Sequence, residues 1–304
     1  MRFLVRPPER EYILSMPAKS STANPAVPRI PASRSFFRRV RSSILQFDLV
    51  YRFSLKLKNG TGRLAPPPLE AGQDAGFPNG VLESRADWQE ATRKAKELGL
   101  PLHRTPEKNW DHLAAVRAIV NATPQSACIL DAGAELYSNV LPALFVYGYR
   151  NLYGMNLCFT NVARRGSIRY MPGDITSTGF PSSYFDAITC MSVIEHGVPL
   201  KPYFREMYRV MKPGGILVTS TDYYSEPIDT GNKAAFGCPI KIFSRREAEE
   251  MIAEAKASGF ETTGEIKLES RERPIRWEPV DLDFTYLIFT LRKPAHCLAA
   301  DFSV

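Results

Sequence analysis

The chain has 304 residues, of which 44% are hydrophobic and 23% are charged; this is the composition of a globular protein and excludes disorder of the whole chain. The formal net charge is +7, but residues 1–60 hold twelve Lys and Arg against three acidic residues, a balance of +9, so the remainder carries −2. Because the basic character belongs to the N-terminal region, a nucleic-acid substrate is disfavoured.

The cysteines and the apolar runs restrict the cellular setting. The five cysteines are scattered and none forms a C-x-x-C pair, so a metal site has no support in the sequence. No apolar run approaches the ~18–20 residues that a membrane-spanning helix needs. Charges and prolines interrupt the first residues, where a signal peptide has its apolar stretch. We therefore expect a cytoplasmic location.

Residues 1–80 form a basic, proline-rich N-terminal region. Residues 1–35 lack a sustained hydrophobic period and are predicted to be disordered. In residues 36–58, large apolar side chains recur at helical spacing with basic residues between them, which predicts an amphipathic helix. Such a helix either lies on an anionic membrane or a partner, or packs its apolar face on its own chain. Residues 59–80 are dense in Gly and Pro and predict a linker or surface loop.

A helical lead-in is predicted over residues 81–126. Ser84 is a plausible N-cap for a helix over 84–98, and a second helix is expected from about Trp110 to Asn121. From Ala127 to about residue 294 short apolar strands alternate with amphipathic helices, and residues 295–304 are left as a C-terminal tail.

The alternating region predicts an α/β fold with a parallel sheet and helices on both faces. Lys212-Pro213-Gly214-Gly215 is interpreted as a sharp turn, and Ser244 is expected to cap a helix that ends near Ser258. The last strand follows a loop and is expected to insert antiparallel. The remaining predicted elements are strands in 127–134, 151–157, 167–174, 184–197, 216–222 and 284–292, and helices over 139–147 and 200–211.

Ligands of open parallel sheets bind beyond the carboxyl ends of the strands, so the residues at those ends are the candidate site. The first strand ends in Asp131-Ala-Gly133, where a glycine turn permits positive φ and a close approach of the backbone to a ligand. Asn156, at the end of the second strand, suits ribose hydroxyls. Asp174 and Ile175 follow the third strand and suit an adenine amino group and ring.

The fourth strand leads into Ser192-Val-Ile-Glu195-His196, which places two titratable groups at the mouth of the expected pocket. His196 is a candidate general base, and Glu195 is grouped with it as a candidate catalytic residue. The alternative is that both residues position the substrate loop, because a displacement with a good leaving group gains much of its acceleration from positioning. Candidate substrate-binding residues are Trp110, within Lys108–Asp111, and Tyr223 and Tyr224, within residues 221–226.

Three segments in order carry a resemblance to a known family: ILDAG, then GDIT followed by FPSSYFDAITCMSVIEH, then REMYRVMKPGGILVTSTD. They resemble class I S-adenosylmethionine-dependent methyltransferases, in the small-molecule group related to the ubiquinone and menaquinone biosynthesis enzymes. The resemblance spans about Cys128 to Arg292. It implies a Rossmann-like sheet of seven strands, six parallel and the last antiparallel.

The resemblance also implies a cofactor, S-adenosylmethionine (SAM), and transfer of its methyl group to a small-molecule, sugar or lipid-precursor acceptor. Matching positions to the family's motifs makes the following residues candidate cofactor contacts: Asp131, Gly133, Ala134, Glu135, Asn156, Leu157, Asp174, Ile175 and Ser192.

Two positions depart from the family's pattern. The usual Asp-x-Gly-x-Gly-x-Gly is here Asp131-Ala-Gly133-Ala-Glu135-Leu-Tyr137, and the acid expected at the second strand's end is the amide Asn156. The alternative function is therefore a catalytically silent, methyltransferase-like binding module whose pocket is blocked by Glu135 and Tyr137. A nicotinamide-dependent enzyme is disfavoured because G-x-G-x-x-G is lacking. The acceptor, the atom methylated and the oligomeric state stay open.

Overall fold

The computed structural model describes residues 44–59, 76–231, 233–235 and 238–295. The predicted disorder of residues 1–35 and the first part of the predicted helix over 36–58 lie outside these residues. Within them, helix α1 runs from Asp48 to Asn59. No helix in the described part of the chain is long and apolar enough to cross a membrane.

The elements follow one another with the predicted alternation. The helices after α1 are α2 Arg85–Glu97, α3 Lys108–Ala122, α4 Val140–Val146, α5 Leu200–Val210 and α6 Arg245–Ala257. The strands are β1 Gly80–Val81, β2 Cys128–Ala132, β3 Asn151–Asn156, β4 Ala163–Arg165, β5 Ile168–Pro172, β6 Phe185–Met191, β7 Met211–Tyr223, β8 Ala234–Ala235, β9 Cys238–Pro239, β10 Glu261–Thr262, β11 Ile275–Trp277 and β12 Leu282–Arg292.

The main sheet has the order β1-β12-β7-β6-β2-β3-β5-β4. Strands β5, β3, β2, β6 and β7 are parallel, and β12 pairs antiparallel with β7, which confirms the predicted Rossmann-like sheet with its antiparallel last strand. The chain leaves β2 toward β3 and β5, then returns to the other side for β6 and β7. Strand order therefore reverses at β2, where such sheets bind their ligands.

The strand count differs from the seven expected. The sixth parallel strand is represented only by the two-residue β10, which pairs antiparallel with β12 and so runs in the direction of β7. The short β1 and β11 also pair with β12, and the hairpin strand β4 extends the opposite edge. Several short pieces thus take the place of one long edge strand.

Helices cover both faces of the sheet, as predicted. Because side chains alternate along a strand, neighbours such as Ile129 and Leu130 enter different cores. Ile129 packs with α1, α2, α3 and α4, whereas Leu130 packs with α5 and α6. The predicted N-caps are confirmed: Ser84 and Ser244 each form a capping box, with Asp87 and Glu247 respectively.

The predicted turn at residues 212–215 is a bulge inside β7. Pairing with β6 jumps from Met211 opposite Phe185 to Ile216 opposite Ala187. Gly214, at φ +81°, donates to the carbonyl of Lys293, and the Lys293 N–H donates to Gly215. Because β12 keeps these residues hydrogen-bonded, the strand continues through the turn residues.

Ile188 lies in the centre of the sheet and is fully buried. We expect Ile188→Ala to lower the free energy of unfolding by about 2–5 kcal/mol, because the cavity left between β2 and β7 cannot collapse. Leu157→Ala, at an exposed position, should change it by less than about 0.5 kcal/mol. Denaturant titration of both variants measures the difference, and equal midpoints for the two would contradict the packing described.

Candidate functional site

The loop after β2 is narrow at Gly133, as the sequence predicted. Gly133 has φ +90°, and a Cβ added there would lie 2.3 Å from a methyl of Val193. Its N–H donates to the carbonyl of Met155 at 2.7 Å. The glycine is therefore required both by its backbone conformation and by the Val193 side chain that covers it. Ala134, next to it, is buried in the core.

The end of β3 is tied to this loop by Asn156. The Asn156 amide nitrogen donates to the Gly133 carbonyl at 2.9 Å, and its oxygen accepts from the Cys158 N–H at 3.0 Å. Glu135 accepts from the Cys158 thiol at 3.0 Å. An acidic side chain is thus present at the end of β3, but it is Glu135 from the loop after β2. Leu157, which follows Asn156, is exposed to solvent.

Beyond β5, Asp174 is exposed and Ile175 is buried. One Asp174 oxygen accepts from the N–H and the hydroxyl of Thr176, at 2.8 and 2.7 Å, so the carboxylate is held by its own turn. The pair occupies the carboxyl edge of the sheet, where the sequence predicted it.

Asp131 lies inside the sheet. It is buried and accepts a hydrogen bond from the Thr189 hydroxyl at 2.7 Å. Burial raises the pKa of Asp131 to about 7, and the Thr189 bond opposes that shift. Alternation along β2 directs this side chain to the face that holds α3, away from Leu130 and Ala132.

The end of β6 is strained. Ser192 has φ +52°, a conformation that is uncommon for a residue with a side chain. Its N–H donates to the carbonyl of Ser220 at 3.0 Å, and its hydroxyl accepts from the amino group of Lys108. Residues Ile194–His196 then form one 3-10 turn that buries Glu195. Non-glycine residues with positive φ cluster at functional sites when their surroundings hold them in place.

Five residues form a group that we call the carboxyl-edge cluster: Lys108, Asp111, Ser192, Glu195 and Asp222. The Lys108 amino nitrogen lies 3.9 Å from a carboxylate oxygen of Asp111 and 3.9 Å from one of Asp222. It also lies 3.5 Å from the centre of the Tyr286 ring. One lysine therefore faces three acidic side chains in a largely buried setting.

Further hydrogen bonds connect the cluster to β7. Ser220 donates to Asp111 at 2.7 Å, and Thr221 donates to Glu195 at 3.1 Å. Among the described residues, the second oxygen of Asp111 and that of Glu195 have no hydrogen-bond partner and are buried. Buried acceptors without partners are costly unless the group is protonated or a ligand supplies a donor.

Burial dominates the protonation of the cluster. It raises the pKa of Glu195 and of Asp222 to about 7 each, and it raises the pKa of Asp111. The Lys108 charge opposes all three shifts, while Glu195 raises the pKa of Asp222 further. Burial also lowers the pKa of His196, which favours its neutral form.

The predicted substrate residues are not brought together. Tyr223 is fully buried, and its hydroxyl donates to the carbonyl of Leu268, so it has a packing role and does not reach a substrate surface. Trp110 lines a groove between α2 and α3, outside the cluster. Tyr224 packs under the guanidinium of Arg273, 4.1 Å from the ring centre.

Two features were not foreseen. Residues 108–111 were expected to face an acceptor. The ion pair of Lys108 with Asp222 at the end of β7 and its hydrogen bond to Ser192 beyond β6 were not expected, because they join residues distant in sequence. The His103 and His112 rings meet edge to face, 5.2 Å apart, beside Asp111. Burial lowers their pKa to about 4 and about 3, so both are neutral at pH 7. For the contacts of Lys108, the only signal in the sequence is a helix that begins with Lys and has Asp one turn later.

A sequence model described as a methyltransferase domain matches residues 130–219. This stretch begins within β2, contains β3 to β6 and ends within β7, so it covers both sides of the point where strand order reverses. Over these residues, the match confirms the methyltransferase resemblance inferred from the motifs.

Curated relatives match a similar part of the chain. The sterol 24-C-methyltransferase of Debaryomyces hansenii is 29% identical over 119 residues, which are 36% of this chain and 31% of the relative. The sterol 24-C-methyltransferase erg-4 of Neurospora crassa is 26% identical over 143 residues, 43% of this chain and 38% of the relative. The chain thus spans about a third of the length of these relatives.

Solved structures of low sequence identity also align. A S-adenosylmethionine-dependent methyltransferase from Mesorhizobium loti is 16% identical with a TM-score of 0.41, and covers 60% of this chain and 97% of its own. A second such methyltransferase, from Methanosarcina mazei, is 15% identical with a TM-score of 0.41. Its alignment covers 58% of this chain and 97% of the Methanosarcina chain.

The raised pKa of Asp131 makes stability depend on pH. The folded state holds the Asp131 proton more tightly than the unfolded chain does. Its contribution to the free energy of unfolding is therefore present below about pH 4 and is lost as the pH rises through about 7. Relative to the wild type, Asp131→Asn should therefore gain roughly 2–4 kcal/mol of unfolding free energy between those pH values. Denaturant titrations across the range measure this gain.

The exposed Glu265→Gln is the matched control and should show no such trend. A difference between Asp131→Asn and the wild type that stays constant with pH would contradict the protonation assigned to Asp131.

Proposed function

We propose that this chain is a methyltransferase that transfers a methyl group from SAM to a small-molecule acceptor. The observation that carries the proposal is that the matched residues 130–219 surround the reversal of strand order at β2. Gly133 and Ser192, at the ends of the adjacent strands β2 and β6, both have positive φ there. This is the place at which a parallel sheet of this order binds a nucleoside ligand.

The residues at this edge suit SAM, which carries a cationic sulfonium and an ammonium group. Three carboxyl groups lie around one lysine there, so a carboxylate can face these cations. Asp174 and Ile175 combine a hydrogen-bond acceptor with a buried apolar contact, as an adenine ring needs. When bound, SAM supplies an electrophilic methyl group, and the chain orients the acceptor and excludes water.

Glu135 is the residue that we assign to the ribose. The side chain of Asn156 is used by the backbone of Gly133 and Cys158, so it is not the ribose ligand that the family pattern suggests. The carboxylate of Glu135 lies beside Cys158, within one loop of the position where the family carries its acid. A carboxylate accepts hydrogen bonds from two neighbouring hydroxyls, which an amide oxygen does less strongly.

A lipid precursor is the acceptor class that we propose to test first. The curated relatives are named sterol 24-C-methyltransferases, although they share about a third of their length with this chain. Exposed apolar side chains lie on the loops that follow β2 and β3, among them Leu136, Tyr137 and Leu157. An apolar acceptor would bury such surface. A cytoplasmic location stays a prediction.

Calorimetric titration with SAM and S-adenosylhomocysteine (SAH) tests the proposal. We expect both to bind in the micromolar range, and Glu135→Gln to weaken both by roughly tenfold or more, because a charge-assisted hydrogen bond is lost. Glu265→Gln, a matched change at an exposed position, should bind as the wild type does. Absence of binding by the intact chain would favour the silent binding module instead.

We also propose that α1 contacts an anionic membrane. Its Tyr51 and Leu55 are buried against the domain, which accounts for one apolar face. A second stripe stays exposed, with Leu49 at 84%, Phe53 at 61% and Leu57 at 71% exposure. The basic residues Arg52 and Lys56 border this stripe by helical spacing. Exposed apolar residues beside basic ones are typical of helices that lie in an anionic interface.

Vesicle sedimentation measures this contact. We expect the protein to bind vesicles that contain phosphatidylserine and to bind phosphatidylcholine vesicles less. Replacing Leu49, Phe53 and Leu57 together by Ser should weaken binding by at least about tenfold, because three apolar side chains no longer enter the bilayer. The control replaces three exposed leucines outside α1, Leu102, Leu136 and Leu157, and binding that falls equally in both variants would count against α1.

A further inference from the structure

The three carboxyl groups of the carboxyl-edge cluster differ in access. The side chain of Asp111 is 0% exposed and Glu195 is 1% exposed, whereas the side chain of Asp222 is 10% exposed. Lys108, at 15%, and the half-buried Ser192 lie at the same opening. Asp222 is therefore the carboxyl group of the cluster that a ligand at the ends of β6 and β7 can reach.

The surroundings of Asp222 come from three elements besides its own strand β7. Lys108 and Asp111 face it from α3, Glu195 and His196 from the 3-10 turn after β6, and Tyr286 from β12. Lys108 is the cationic side chain among these groups, and burial lowers the pKa of His196, which favours its neutral form. Lys108 and a carboxylate of the group thus face each other, and a further carboxyl group is present to take up a proton.

We infer that Asp222 accepts the proton that the acceptor loses on methylation, with Glu195 sharing that proton and Lys108 holding Asp222 in place. The inference rests on the proposed function and deepens it. It identifies the acceptor as a protic one, which carries its hydrogen on oxygen, nitrogen or an activated carbon.

The transfer balances in atoms and charge. The acceptor atom forms its bond to the methyl carbon as that carbon's bond to sulfur breaks, and the sulfur keeps the electron pair. The acceptor's hydrogen passes as a proton to the Asp222 carboxylate, which becomes a neutral carboxylic acid. The sulfonium becomes a neutral thioether, so one positive and one negative charge disappear together.

Protonation of Asp222 is coupled to that of Glu195, since both pKa values lie near 7 and the Glu195 charge raises the pKa of Asp222. Near neutral pH the two groups share a proton, and the titration belongs to the pair. Lys108 is a positioning residue in this scheme, because it touches Asp222 and Ser192 but takes no proton from the acceptor. His196 is the competing base and has to be separated from Asp222 by experiment.

SAM and SAH provide a matched pair of probes, because they differ by the methyl group and the sulfonium charge. A cation placed beside Asp222 should lower the apparent pKa of the pair by roughly one to two units. At pH 7 the wild type should then release on the order of 0.4 proton on binding SAM and close to none on binding SAH. Calorimetry in buffers of different ionisation enthalpy counts these protons and needs no acceptor.

Three variants and one exposed control decide which residue is responsible. Asp222→Asn should still bind SAM and SAH but lose the difference in proton release, whereas His196→Gln and the exposed Glu265→Gln should keep it. In Lys108→Met, the pH of greatest proton release should rise by roughly one unit, because the cation that favours the carboxylates is gone. A merely structural role would not move that pH. Circular dichroism confirms that each variant is folded.

Binding of SAM without a difference from SAH would overturn the inference and leave the proposed function standing. A difference that persists in Asp222→Asn, or that disappears in His196→Gln, would also overturn it and assign the proton elsewhere. Failure of the wild type to bind either probe would defeat the proposed function, and this inference with it.

Discussion

The site depends on the ion pairs of the largely buried side chain of Lys108. An ion removed from water is costly unless opposite charges and hydrogen bonds compensate it. Here the compensation comes from Asp111 on its own helix, from Asp222 at the end of β7 and from the hydroxyl of Ser192 beyond β6. The start of α3 is thereby joined to two strand ends. The position of the helix and the ionisation of the acids depend on the same charge.

The loops at this edge also constrain one another sterically. Val193 leaves room above the β2 loop only for Gly133, while Asn156 ties that loop to the end of β3. Ser192, at positive φ, turns the chain so that Val193 and Glu195 enter the structure. Because each loop limits its neighbours, a site with a single glycine in its first motif still has a defined shape, and Glu135 takes a position beside β3 that the motif did not predict.

The two edges of the sheet contrast with this interlocked centre. Beyond β12 lie only short pieces, of which β1 and β10 have two residues each, and β4 closes the other side in a hairpin. The parallel strands at the centre carry the residues that match the methyltransferase domain. Divergence from the seven-strand pattern is thus confined to the edges of the sheet, outside its five parallel strands.

Much of the fold followed from the sequence because it depends on local patterns. Apolar runs that alternate with helical periods predicted the parallel sheet, and the two capping serines predicted where helices begin. The residues at the strand ends, such as Gly133 and Ser192, were also identified, since a strand end can be located from periodicity alone.

The tertiary structure decided what those residues contact. Tyr223 was expected at a substrate surface, but pairing of β7 with β12 and packing against α6 enclose it. Lys108 meets Asp222 across more than a hundred residues of sequence, and no local period signals such a pair. Sequence determined the elements and their ends because these depend on neighbours along the chain. Charge pairing and burial were decided by the fold, because the energy of an ion depends on every group that surrounds it in space.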